Sequence, residues 1–246
     1  AMLTEYVLSS LSEQGKLPKN PIVVKTIVTS RLVAEIAAAY GAETADVLTV
    51  FKYIGELVTE LEKKGETDRF VIGMEESYGY LRGAHARDKD AVVASMLICE
   101  MAAYYKRKGM SLYDFMQSIY KKYGMYLNTL LNFNFEGAAG MQKMQNMMTS
   151  LRNNPPKEIA GERVRLISDY KTSVTKDTAT GEETPITLPK SNVLSYRLDG
   201  ATGVIVRPSG TEPKIKIYVT SVADTRENAQ AKADQIAADM EKALGI

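Results

Sequence analysis

Two stretches of this sequence gather donors, acceptors and charge at short spacing. Val71–Tyr80 reads VIGMEESYGY and His85–Asp90 reads HARDKD. The first brings two adjacent carboxylates, Glu75 and Glu76, followed by the hydroxyl of Ser77. The second brings His85, the only histidine, together with Arg87 and Lys89. Carboxylates accept hydrogen bonds from sugar hydroxyls, and a serine can donate or accept. Gly79 and Gly83 let the backbone come close to a ligand. Arg87 and Lys89 put positive charge beside the start of a predicted helix, where free N–H groups already favour anions. A histidine is the side chain whose ordinary titration lies nearest neutrality. This set suits a polyhydroxylated, charged ligand. The same residues also describe a solvated loop with a capping Asp.

A second cluster, RPSGTEPK, runs from Arg207 to Lys214 between two strand patterns. Arg207 offers a bidentate fork for phosphate, Ser209 and Thr211 add hydroxyls, and Lys214 adds charge. Gly210 allows a tight turn whose N–H groups can point inward. Each charge-assisted hydrogen bond to a phosphate is worth about 1.5–3 kcal/mol. A hairpin loop of turn-forming residues would have the same composition. The Walker spacing is absent and no GxGxxG follows a strand pattern, so neither a P-loop nor a dinucleotide site is indicated.

The elements that must hold these clusters follow from periodicity. MLTEYVLSSLSEQG places Leu3, Tyr6, Val7 and Leu11 on one helical face and stops at Gly15. PIVVKTIV is β-branched and predicts a strand buried on both faces. Ser30 is placed to cap a helix whose apolar stripe is Leu32, Val33, Ile36 and Ala37. ADVLTV and RFVIGME read as strands, with the helix YIGELVTELEKKG between them. From Asp90 to Arg107 a helix is apolar on nearly every side, which predicts a central position. SLYDFMQSIYKKYG is a further amphipathic helix. This order predicts an α/β/α sandwich domain over residues 1–135 with a mixed, mostly parallel sheet. In such sheets ligands sit beyond the carboxyl ends of the strands, where the Glu75 loop belongs.

A short Gly-containing linker near 132–140 is expected to lead into a smaller α+β domain, 136–246. Its first helix carries Met141, Met144, Met147 and Met148 at core-packing spacing. Strand patterns follow in RVRLISDY, VLSYRL, GVIVRPS and KIKIYVT, with residues 171–192 as an exposed hairpin or loop. The last helix, near 225–244, turns Ala229, Ala233, Ile236, Met240 and Leu244 to one side.

The composition agrees. The chain has 246 residues, 45% hydrophobic and 25% charged, with a net charge of +1. That balance describes a globular protein with a sizeable core and points to neither nucleic acid nor a membrane surface as partner. A cytoplasmic setting is expected. The one cysteine, Cys99, has apolar neighbours and reads as a buried, inert thiol. The chain enters its first helix at once, as a piece of a longer protein would.

GMEESYGY, HARDKD and RPSGTEPKIKIYV, in that order, resemble the α-D-phosphohexomutase superfamily, and specifically its phosphoglucomutase branch. TIVTSRL and LTVFKYIGEL also resemble that family's third domain. The likeness spans the third and fourth of the family's four domains. It implies that Glu75, Glu76 and Ser77 meet the sugar hydroxyls and that Arg207, Ser209, Gly210, Thr211 and Lys214 grip the phosphate not being transferred. It places His85, Arg87 and Lys89 near the transferred phosphate, with Lys89 as general acid or base, and Lys52 beside them. One departure is Val50, where the family has Gly, so this loop is expected to sit differently.

The family's phosphoserine loop and its Mg2+-binding Asp-Gly-Asp-Gly-Asp motif do not occur in this sequence. The resemblance therefore implies a fragment that supplies sugar and phosphate loops to an enzyme interconverting glucose 1-phosphate and glucose 6-phosphate. That enzyme would use Mg2+ and glucose 1,6-bisphosphate, and the missing N-terminal domains would be this fragment's partner. The Ser77-Tyr78-Gly79-Tyr80 ending favours glucose. A pentose or other phosphosugar mutase, a non-catalytic phosphosugar-binding module and a purely structural domain are the alternatives.

Overall fold

The β-branched run becomes the middle of a sheet. In a computed structural model describing residues 1–210 and 212–246, with Ala138 described by its backbone alone, β1 (Ile22–Thr26) is buried along its whole length. It pairs in parallel with β2 (Glu43–Val47) on one side and β3 (Phe70–Met74) on the other. β4 (Tyr80–Leu81) returns antiparallel to β3, giving the order β2-β1-β3-β4. The carboxyl ends of the three parallel strands, Thr26, Val47 and Met74, therefore open toward one side.

Helices cover both faces of this sheet. α3 (Lys52–Lys63) lies on one face, where Ile54, Val58 and Leu61 pack with Ile22, Val24 and Phe70. α1 (Met2–Glu13), α2 (Leu32–Ala39), α4 (Ala91–Arg107) and α5 (Leu112–Tyr123) group together, α1 meeting β3 and α2 meeting β1. α2 buries the four residues its stripe predicts, and the Ser30 hydroxyl accepts from the Leu32 N–H at 3.3 Å. In α1 Leu8 is wholly buried, and Leu11 lies at the margin. α1 also carries a buried carboxylate. Glu5 accepts from the hydroxyls of Tyr40 (2.9 Å) and Tyr123 (2.8 Å) and from Lys122 (3.1 Å), tying α1 to the ends of α2 and α5.

α4 departs from expectation. Only Ala94, Met101 and Tyr105 are buried, while Val92, Met96 and Ile98 face outward. Cys99 is exposed as well, so the expected buried thiol is corrected. The cause is common to both: the side of α4 that carries Val92, Met96 and Cys99 is not covered by the described elements of the first unit.

The first unit ends at Gly124, whose φ of +99° stops α5. The division falls one strand ahead of the 135/136 boundary read from sequence. Met125–Asn134 is a strand, β5, and pairs along its full length with β13 of the second unit. The expected linker near 132–140 is thus the end of β5 and the start of α6 (Gly137–Asn153).

Residues Met125–Ile246 form the second unit. Its elements are β5, α6, β6 (Glu158–Ile159), β7 (Glu162–Arg163), β8 (Leu166–Asp169), β9 (Val174–Asp177), β10 (Glu183–Pro185), β11 (Leu194–Arg197), β12 (Gly203–Pro208), β13 (Lys214–Ala223) and α7 (Arg226–Leu244). Seven of the strands make an antiparallel sheet in the order β10-β9-β8-β11-β12-β13-β5. Met144, Met147 and Met148 of α6 pack with Ile236, Met240 and Leu244 of α7 and with the inward residues of β12 and β13. β9 and β10 are the exposed hairpin predicted within 171–192. Among the described residues no helix is long and apolar enough to cross a membrane.

Candidate functional site

The loop after β3 is built around Glu75. Its N–H donates to the Gly79 carbonyl at 2.9 Å and closes the turn. Its side chain is 10% exposed, and Oε1 stands 3.6 Å from Lys89 Nζ. Position 79 has no room for a side chain, because an added Cβ would lie 2.7 Å from Glu75 Oε1 and 2.8 Å from Glu75 Cγ. Glycine there is what lets the turn close over the carboxylate. Lys89 also lies 5.3 Å above the ring of Phe51, the buried residue just ahead of α3. Glu75 and Lys89, distant in sequence, thus meet beyond the carboxyl end of β3.

Glu76 is held from a different strand. Thr26 Oγ1, at the carboxyl end of β1, donates to Glu76 Oε2 at 3.0 Å and lies 2.9 Å from Thr29 Oγ1. Below that turn Lys25 is 2% exposed, bonded to the carbonyls of Thr26 and Thr29 and paired with Asp46 at 2.7 Å. Ser77 Oγ stands 3.4 Å from Glu76 Oε1, and Ser77 is exposed. A buried lysine, a two-threonine turn and Glu76 form one chain of contacts, none of which a local motif reveals.

The HARDKD loop is fastened to α3. Arg87 donates to Thr59 Oγ1 (2.9 Å), Glu62 Oε2 (2.7 Å) and the carbonyls of Ala84 (2.7 Å) and Ala86 (3.0 Å). A guanidinium has five N–H donors. Arg87 is therefore largely engaged by its own loop and by α3. Gly55 lets this happen, since a Cβ there would lie 2.2 Å from the Arg87 carbonyl oxygen. His85 Nε2 lies 2.7 Å from Asp90 Oδ2, and Asp90 Oδ1 accepts from the Val93 N–H to cap α4. The Val93 N–H, then His85, hold the Asp90 carboxyl below the usual carboxylate range. His85 thus has a helix cap for its partner.

Lys52 is exposed at the start of α3, its Nζ 4.8 Å from the centre of the Tyr53 ring. Val50, two residues earlier, has φ of +102° and is 52% exposed. A β-branched residue rarely adopts this backbone. Val50 thus holds a backbone conformation that glycine adopts more readily.

In the second unit the Arg207 cluster is the connection between β12 and β13. Ser209 N–H donates to the Lys214 carbonyl at 2.7 Å, and Glu212 N–H donates to Ser209 Oγ at 3.3 Å. Lys214 Nζ stands 3.7 Å from Glu212 Oε2. Gly210 is exposed, and a Cβ there would meet nothing within 4 Å. Among the described residues nothing at that point sterically requires glycine. Thr211 lies outside the described residues.

Strand register adds a residue that motif reading missed. Arg207 on β12 pairs directly with Lys216 on β13, and both point away from the face that buries Val204, Val206, Ile215 and Ile217. Lys214 lies on the same side, two residues before Lys216. Like charges directly opposite each other destabilise a sheet. Neither Arg207 nor Lys216 has an acidic partner among the described residues, so three cations crowd one end of a hairpin. The signal was the alternation Lys214-Ile215-Lys216, whose meaning appears once the register is known.

Residues 2–123 match the phosphoglucomutase/phosphomannomutase alpha/beta/alpha domain III, and residues 175–239 match the C-terminal domain of the same family. The phosphoglucomutase of Staphylococcus aureus (strain MRSA252) is 36% identical over 220 residues, covering 89% of this chain and 38% of its own length. That of Staphylococcus epidermidis is 37% identical over 224 residues, covering 91% and 40%. The chain therefore spans about two fifths of these curated relatives. Among solved structures, the open form of pp63/parafusin, a phosphoglucomutase from Paramecium, superposes with a TM-score of 0.65 at 17% identity, covering 99% of this chain and 40% of that one. A phosphoglucomutase/phosphomannomutase family protein from Burkholderia thailandensis gives 0.55 at 14% identity, covering 98% and 41%. At those identities the superpositions show the fold alone.

Proposed function

Because the chain belongs to the phosphoglucomutase/phosphomannomutase family, as its domain III and C-terminal domain, we propose that it supplies the sugar and phosphate loops of a phosphoglucomutase. The whole enzyme would interconvert glucose 1-phosphate and glucose 6-phosphate through a bisphosphorylated sugar. The observation that carries this reading is the Glu75–Lys89 pair, a carboxylate and an ammonium 3.6 Å apart on a glycine-closed turn beyond β3.

Phosphoryl transfer asks a protein mainly for positioning and charge neutralisation. Glu75 and Ser77 would accept and donate hydrogen bonds to the sugar hydroxyls, and Glu76, held by Thr26, would keep the turn in place. Lys89 would move the proton at the sugar oxygen that gains or loses the phosphoryl group. Arg207 and Lys214, with Lys216, would hold the phosphate that stays. Among the described residues no three acidic, histidine or cysteine side chains come together as a metal site. The Asp-Gly-Asp-Gly-Asp motif is absent too. The described residues do not fit Mg2+, and the metal and the phosphoserine would belong to the N-terminal domains of the whole enzyme. The 246 residues alone are then expected to show no turnover.

Titration calorimetry tests the reading. Glucose 1,6-bisphosphate should bind the chain, and Arg207→Ala and Glu75→Ala should each weaken it. No heat, or equal heats in all three, refutes the reading and favours a structural domain. A tighter fit for a pentose bisphosphate would move the assignment to a pentose mutase. Robust conversion in a coupled assay by the chain alone would overturn the fragment reading.

A further inference from the structure

The helix after the HARDKD loop has the wrong surface for solvent. Ala91–Cys99, AVVASMLIC, contains no charged residue. A helix apolar all round belongs inside a protein. In α4, however, Val92 is 70% exposed, Met96 66% and Ile98 41%, and Cys99 is exposed next to them. Val92, Met96, Cys99 and Ala103 follow at spacings of four, three and four, so they form one stripe, away from buried Ala94, Met101 and Tyr105. The exposed side of α3 is different, carrying Lys52, Glu56, Glu60 and Lys63. Uncharged exposed patches of this kind mark interaction sites.

We infer that the Val92–Met96–Cys99 stripe of α4 is the docking face for the polypeptide that precedes domain III in the intact protein. This rests on the family membership stated above. The S. aureus relative has 62% of its length outside the match (100 − 38), and the matched parts are the third and the C-terminal domains. The unmatched length therefore includes what precedes domain III. The structure shows where such a segment begins. Tyr6 of α1 bonds Glu100 of α4, and Tyr104 of α4 bonds Glu13 of α1, so the two helices run side by side in the same direction. At equal rise per residue, the amino end of α1 lies level with the first turns of α4. Polypeptide joined ahead of Ala1 starts level with those turns. An occupant with an apolar surface is required, because the stripe offers no charge to pair.

Cys99 is the reporter. The test fuses the 246 residues to the part of S. aureus phosphoglucomutase that precedes the matched segment, and follows N-ethylmaleimide labelling of the Cys99 peptide by mass spectrometry. In the chain alone, labelling should run near the rate of a free peptide thiol. In the fusion it should slow by about tenfold or more, equivalent to about 1.4 kcal/mol. Met96→Glu should restore fast labelling in the fusion and leave the Tm of the chain alone unchanged. A fusion active as a mutase with Cys99 still fast overturns the docking face and leaves the functional reading standing. A fusion that is inactive with Cys99 protected does the reverse. A dimer of the chain alone, dissociated by Met96→Glu in light scattering, also overturns the inference by assigning the stripe to a second copy. If the fusion does not fold, the intact S. aureus enzyme with a cysteine at the aligned position decides by the same rates, fast labelling again overturning it.

Discussion

Replacing Gly55 with alanine tests how the Lys89 loop is positioned. The new Cβ would lie 2.2 Å from the Arg87 carbonyl oxygen, 3.1 Å from its carbon and 3.3 Å from its Cα. These are backbone atoms, so no side chain can swing aside. Reaching ordinary contact at 3.4 Å needs a separation of 1.2 Å (3.4 − 2.2) between α3 and the loop. Alanine gains about 1 kcal/mol over glycine in a helix interior. Overpacking of this kind costs about 1–3 kcal/mol. Separation also stretches the Arg87 bonds to Thr59 and Glu62, which lie at 2.9 and 2.7 Å. Each lost hydrogen bond adds about 1 kcal/mol. The expected net loss is about 2–4 kcal/mol in urea unfolding followed by circular dichroism. In the whole enzyme the shift reaches Lys89, and a misplacement near 1 Å should lower kcat by about 100-fold. Glu60→Ala, on the exposed side of the same helix, is the control. Stability equal to or above that of the parent would refute the close approach and with it the account of how α3 sets the loop.

Lys216→Thr should stabilise the second unit by about 0.2–1 kcal/mol by removing a like-charge cross-strand pair. The same change should weaken glucose 1,6-bisphosphate binding by about tenfold or more, seen as opposite shifts in Tm and calorimetric affinity. Unchanged affinity would exclude Lys216 from phosphate binding. In alkali, the hydroxyls of Tyr6 and Tyr40 are pushed up to about 12, first by burial and then by hydrogen bonds to Glu100 and Glu5. Folded tyrosines that hold their protons longer than unfolded ones, which titrate near 10, contribute stability that is complete below pH 10 and is lost as pH rises toward 12. The urea midpoint should fall across that window, and Tyr40→Phe should flatten the fall. A midpoint independent of pH there would contradict the buried tyrosine network.

Some of the site was readable residue by residue and some was not. Glu75, Ser77 and Lys89 sit on the loop that the strand and helix pattern placed beyond a carboxyl strand end, because local turn chemistry carries that information. Arg87 reads as a phosphate ligand in one dimension, and only the fold shows the acceptors on α3 that also hold it. Glu76 reads as a second sugar contact, yet its partner is Thr26, brought alongside by the parallel pairing of β1 and β3.

Local order and periodicity determined the helices and their buried faces. The stripes of α2 and α7 were legible because a 3.6-residue repeat reports which side is apolar whatever lies against it. The sequence also determined that two loops rich in donors and charge follow strands. Only the tertiary structure decided that Met125–Asn134 joins the second sheet, that Arg207 faces Lys216, and that α4 keeps an uncovered apolar side. The reason is common to all three. Strand pairing and the covering of a face are set by residues far away in the chain, and a helix apolar on every side states that it needs neighbours without stating which ones this chain supplies.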